Sequence, residues 1–155
     1  MSTQNYWVWE GVEDYKNERL TYYQDQLFKA GIKNMDHLKN FTSQLINENG
    51  ELDPTVLGDW DKRGWYCSLG IPQINICVHH QQDAASFLAK NPEWNDWKFQ
   101  VDVMVQWATA NYERYDGDIF RAVVHHNSPK AAHANVDTKA GYWAKNLRTG
   151  KLLTL

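Results

Sequence analysis

The chain of 155 residues has only two cysteines, no long apolar run, no block of one charge and no internal repeat, and each scarcity removes a class of protein. Cys67 and Cys77 are too few for a disulfide framework, and their spacing fits no zinc pattern. They read first as buried free thiols; a bridge closing the loop between them is the alternative for a protein that works outside the cytoplasm. No stretch approaches the ~20 apolar residues that cross a bilayer, so no membrane span is expected. The opening "MSTQNYWVWEGVEDYKNERL" lacks the basic start, the apolar core of about 7–15 residues and the small-residue cleavage site of a secretory signal. The expectation is a soluble chain carrying no export signal of its own. A net charge of −3 without a basic patch disfavours nucleic acid as a partner.

Aromatic residues, in contrast, are plentiful: 14% of the chain, with eight Trp and eight Tyr. Such rings pack cores, and their apolar faces and polar edges also suit clefts for sugars and peptides. The length fits one domain that buries roughly 70% of the surface its unfolded chain exposes.

The periodicity is helical. Val12, Tyr15, Leu20, Tyr23, Leu27 and Phe28 predict a helix within 11–30, stopped by Gly31. Asn34 is the expected N-cap of a second, whose stripe of Met35, Leu38, Phe41, Leu45 and Ile46 ends at Asn49-Gly50. From Glu51 to Gly70 the pattern breaks into Gly, Pro, charges and aromatics, which predicts a long ordered loop or a short β excursion. Further helices are expected over 83–90, 97–112, 119–126 and 137–147. The fold class is mainly α.

Stepping along the second helix from Leu38 through Phe41 and Leu45 reaches Glu48, a carboxyl on the core-facing stripe at the helix C-terminus. Burial and the partial negative charge of a helix C-terminus both disfavour an ionised carboxyl, and a carboxyl held protonated is what a general acid requires. The plainer reading makes Glu48 a loop cap or a frayed surface residue. Glu51, Asp53, Asp59 and Asp61 read as solvated or turn-forming carboxylates, Glu51 lying beyond Gly50 and off the stripe. The pairs His79-His80 and His125-His126 raise a metal hypothesis, but adjacent residues diverge on a helix and no ligand spacing completes them. Neither a metal nor a cofactor is expected.

Three separated segments resemble the lysozyme-like superfamily, in particular lytic transglycosylases and goose-type lysozymes. The first is "ENGELDP", similar to the family's Glu-Ser-Gly motif at a helix end, which implies a catalytic role for Glu48. The second is "SLGIPQI", similar to a Ser-x-Gly-x-x-Gln-Ile pattern that lines the cleft, which implies Ser68, Gly70 and Gln73 as cleft residues, Gly70 admitting close approach of a glycan. The third is "VVHHNSPKAA" followed by "GYWAKNL", where His126 stands for the family's Tyr, Asn127 matches its Asn and Tyr142 matches a later Tyr. The likeness runs from Leu45 to Leu147. Asn49 stands where Ser is usual, and Leu69 where Ser is common.

The resemblance implies a single lysozyme-like domain that cleaves the β-1,4 bond between N-acetylmuramic acid and N-acetylglucosamine in peptidoglycan. Glu48 would serve as acid and then base. In a transglycosylase the muramic O6 attacks its own sugar, whereas a hydrolase positions water, a role that "GDWD" offers to Asp59 or Asp61. A non-catalytic wall-binding module is the competing class. An enzyme of this kind without its own export signal fits a phage lysin, a virion-associated protein or another non-signal route to the wall.

Overall fold

The computed structural model describes residues 5–155. In chain order these form β1 (Val8–Trp9), α1 (Asp14–Lys29), α2 (Met35–Glu48), β2 (Leu57–Trp60), β3 (Tyr66–Leu69), β4 (Ile74–Asn75), α3 (Ile76–His79), α4 (Ala84–Lys90), α5 (Trp97–Arg114), α6 (Ile119–Asn127), α7 (Pro129–Ala134), α8 (Tyr142–Gly150) and β5 (Leu153–Thr154). A 3-10 turn, Pro92–Asn95, leads into α5. The class is mainly α.

The helices start where the sequence supplies caps. Asn34 accepts from the His37 amide (3.1 Å), Asp96 from Lys98, and Asp118 from Arg121, each satisfying an amide donor of the first turn. Helix α1 begins at Asp14, three residues later than expected from Gly11, because Gly11 takes a positive φ of 74° and turns the chain. Helix α8 begins at Tyr142, five residues after Asp137, because the chain turns through Gly141, the N-cap with φ 69°, and Asp137 serves the first turn from outside the helix. Its carboxylate accepts from the amides of Trp143 (2.8 Å) and Ala144 (3.2 Å).

The apolar stripes meet in two cores. Leu20, Tyr23 and Leu27 of α1 pack with Leu38, Phe41 and Leu45 of α2, Val101, Met104 and Ala108 of α5, and Val123 of α6. Leu69, Ile74, Ile76, Ala84 and Phe87 make a smaller core under the sheet. Helix α5 serves both, its Val101, Met104 and Ala108 facing the larger and its Val103 and Trp107 the smaller. That double duty explains why it is apolar around much of its circumference.

The segment 51–70 resolves into strands. Strands β2, β3 and β4 form an antiparallel sheet in that order, with Gly58 opposite Ser68 and Ser68 opposite Asn75. The reversal from β3 through β4 into α3 brings Cys67 and Cys77 together, with 4.9 Å between their Cα atoms, and they form a disulfide. The free-thiol expectation is therefore replaced by its alternative. Closing so short a ring contributes about 2–3 kcal/mol by restricting the unfolded chain. The Cys67→Ala/Cys77→Ala double variant should accordingly melt roughly 5–10 °C lower in a calorimetric scan; an unchanged melting temperature would show that the ring is already ordered without the bond.

Strands β1 and β5 also pair: Val8 lies opposite Thr154 and Trp9 opposite Leu153, antiparallel.

Candidate functional site

Glu48 ends α2 on the face that Leu38, Phe41 and Leu45 bury, and its side chain keeps 15% of its exposure. It opens on a polar cleft of about 380 Å³ lined also by Asp59, Ser68, Gln73, Asn75, His126 and Asn127. Three parts of the fold supply these residues: the end of α2, the sheet, and the C-terminal turn of α6.

The two oxygens of Glu48 have different surroundings. Oε1 accepts a hydrogen bond from the Tyr142 hydroxyl at 2.6 Å. Oε2 makes no hydrogen bond among the described residues and stands 3.8 Å from His126 Nε2. Tyr142 is itself held by Gln44, whose Nε2 donates both to the Tyr142 oxygen (3.1 Å) and to the Val123 carbonyl (3.0 Å). Gln44 and Glu48 are four residues apart on one helix face, so a single tyrosine from α8 reaches both. Burial first, then the adjacent Glu48 charge and its hydrogen bond, push the Tyr142 hydroxyl well above its ordinary range. Tyr142 is thus a permanent donor to Glu48.

His126 Nε2 lies 3.0 Å from the Pro72 carbonyl, which can only accept, so this nitrogen carries a hydrogen. The imidazole is nearly buried, 8% exposed, and packs against Trp107 with ring centroids 5.6 Å apart. It ties α6 to the turn between β3 and β4.

On the sheet side, the Ser68 hydroxyl donates to Asp59 Oδ2, fixing that carboxylate on the cleft wall. Asp59 has a left-handed backbone, φ 56°, which breaks the ordinary strand alternation at this point. The Gln73 amide donates to the carbonyls of Gly70 (2.9 Å) and Val56 (3.3 Å), and its oxygen lies over Gly58, where a Cβ would approach to 2.4 Å. Ser68, Gln73 and Asn75 all fall inside the ring closed by the Cys67–Cys77 bond.

Of the residues expected at the site from sequence, Glu48, Asp59, Ser68, Gln73, His126 and Asn127 come together at the cleft. Tyr142 acts on the cleft through Glu48 and is not on its lining. Asp61 lies elsewhere. It closes the β2–β3 turn, accepting from the Arg63 amide (2.8 Å) and Nε (2.9 Å) and from the Trp65 amide (3.2 Å), and the Arg63 hydrogen bond holds its carboxyl below the usual range. It is a turn-former, as its composition first suggested, and not a second cleft acid. Gly70 is displaced too: it is buried, and the space its missing side chain leaves is filled by Gln100 and not by a ligand.

Two residues of the arrangement carry no expectation from sequence. Asn75 lines the cleft and caps α3 by accepting from the Val78 amide at 3.1 Å. Gln44, the anchor of Tyr142, is a fully buried polar residue on a core stripe. A glutamine one turn before a candidate acid is the available signal for it.

In comparisons with known proteins, no family model, no curated protein and no solved structure matches this chain.

Proposed function

We propose that the protein is a peptidoglycan-cleaving muramidase of lysozyme-like fold, acting on the β-1,4 bond between N-acetylmuramic acid and N-acetylglucosamine with Glu48 as general acid and then base. The observation that carries the reading is the division of labour between the two Glu48 oxygens. Tyr142 occupies Oε1, which leaves Oε2 as the atom to hold the proton and deliver it to the glycosidic oxygen. Once the proton has gone, the Tyr142 donor stabilises the carboxylate that remains. That carboxylate then takes a proton from the attacking nucleophile.

In the lytic transglycosylase reading the nucleophile is O6 of the same muramic acid, and one carboxylate suffices. In a second reading, favoured by the presence of Asp59 on the same cleft wall, Asp59 positions water and the enzyme is a hydrolase of goose-lysozyme type. The disulfide supports action outside the reducing cytoplasm, as for a phage lysin or virion-associated enzyme that meets the wall.

Digestion of purified cell walls followed by mass spectrometry tests both readings. The transglycosylase reading expects 1,6-anhydro-muramic ends with no reducing muramic ends; reducing ends alone select the hydrolase, and no released muropeptide removes both.

A further inference from the structure

A second cavity, of about 410 Å³, adjoins the cleft, and His126 lines both. Its walls include His79, Trp107, Arg114 and His125, and among the described residues no Asp or Glu lines it. In a chain with 19 acidic residues against 16 Lys and Arg, an acid-free pocket holding a guanidinium is a local reversal of charge.

The guanidinium is only partly used. Arg114 Nη1 donates to Asn111 Oδ1 (2.8 Å) and to His125 Nε2 (2.6 Å). With Nε2 accepting, His125 Nδ1 carries the ring hydrogen and donates to the Tyr115 hydroxyl at 2.6 Å. Arg114 Nε and Nη2 make no hydrogen bond or ion pair among the described residues. Trp107 lines the same cavity and offers it an apolar surface, contacting the rings of His79 (5.8 Å) and His126 (5.6 Å). A guanidinium with two nitrogens to spare in a cavity that also holds an apolar ring fits a carboxylate on a short organic chain, which it can grip with two parallel hydrogen bonds.

We propose that this pocket binds a carboxylate of the peptide that branches from the glycan strand, with Arg114 as the anion donor and Trp107 as the apolar floor. The proposal rests on the muramidase reading for the identity of the ligand. Because His126 is common to both cavities, the bound group must lie within one side chain of the glycan in the cleft. A peptide covalently attached to the muramic acid meets that condition.

The test is an NMR titration of the full chain with the dipeptide L-Ala-D-Glu, following the imidazole signals of His125 and His79, with inorganic phosphate as the competing anion. Saturable shifts are expected with the dipeptide, with affinity at least about tenfold weaker in Arg114→Gln. Arg114→Lys, which keeps the charge and loses the planar fork, should weaken it by at least about threefold. No saturable shift, an affinity unchanged in both variants, or tighter binding of phosphate would overturn the proposal. In parallel, the ratio of KM for peptide-stripped strands to KM for peptide-bearing strands should fall about tenfold in Arg114→Gln, and an unchanged ratio counts against the pocket. The titration needs no cleavage. An active enzyme that ignores the dipeptide removes the pocket alone, whereas a chain that binds it and cuts no wall removes the muramidase reading.

Discussion

Glu48→Gln should abolish clearing of purified cell walls, by about 10²- to 10⁴-fold in rate, the range a positioned general acid supplies. Its melting temperature should stay close to that of the wild type. The two outcomes separate because the substitution changes one property. A glutamine oxygen can still accept from the Tyr142 hydroxyl that now bonds Oε1 at 2.6 Å, so the tie between α2 and α8 survives. At the other position an amide replaces the oxygen that faces His126 and the cleft. An amide cannot hand a proton to a leaving oxygen. Turbidity of a wall suspension and a thermal melt of the same preparation check both halves. Activity within tenfold of wild type would take Glu48 out of the mechanism, and a collapse of stability would make the residue structural.

Gly70→Ala carries the largest expected stability loss. Gly70 has a φ of 74°, and a Cβ built there would stand 2.0 Å from Gln100 Oε1 and 2.6 Å from its Cδ. Gln100 cannot give way cheaply. It is fully buried, its oxygen accepts from the Ile71 amide at 2.8 Å, and its nitrogen donates to the carbonyls of Pro54 (2.8 Å) and Trp94. The left-handed backbone costs an alanine about 1–2 kcal/mol, and displacing a buried amide from its partners costs about 1–3 kcal/mol more. The combined loss is about 2–5 kcal/mol. Gly11→Ala separates the two contributions, since Gly11 has the same φ of 74° with nothing within 4 Å of its Cβ position. Denaturant unfolding should show Gly70→Ala losing at least about twice as much as Gly11→Ala; equal losses would mean that Gln100 moves freely. The change also reaches the site, because the Gly70 carbonyl accepts from Asn49 Nδ2 at 3.1 Å, one residue beyond Glu48.

That Asn49 contact bears on what the sequence could reveal. Asn49 stands where the motif it resembles has serine, and its amide makes contacts of its own. It donates to the carbonyls of Asp53 and Gly70 and so holds the β excursion against the end of α2. Local features were legible. The cap at Asn34 and the stripe of Leu38, Phe41 and Leu45 place Glu48 because helix geometry depends only on neighbours. Asp59 and Asp61 could not be separated in advance. They are two residues apart in one hairpin, and what divides them is the left-handed turn of the backbone at Asp59 and the grip of Arg63 on Asp61. The disulfide was open for a related reason, since it depends on how β4 reverses the chain. Helix α7 is too short for periodicity to reveal, although Ser128 and Pro129 spell a helix start; the Ser128 hydroxyl accepts from the Ala131 amide at 3.2 Å. The resemblance singles out Tyr142, but its distance from Glu48 along the chain conceals that its hydroxyl bonds Glu48 and does not line the cleft.

The pairing of β1 with β5 sets an order of events during synthesis. Asn17 of α1 can hold Trp9 early, bonding its N–H (2.9 Å) and its carbonyl (3.0 Å), but the strand partners of Val8 and Trp9, Thr154 and Leu153, are made only after nearly all of the described chain. Helices α1 and α2 can meet through nearby contacts long before then. Closing the two-stranded ribbon is a long-range step with a correspondingly large loop entropy, which assigns it to the end of folding. The helical body is therefore assembled first and fastened last, after the residues that build the cleft have all emerged.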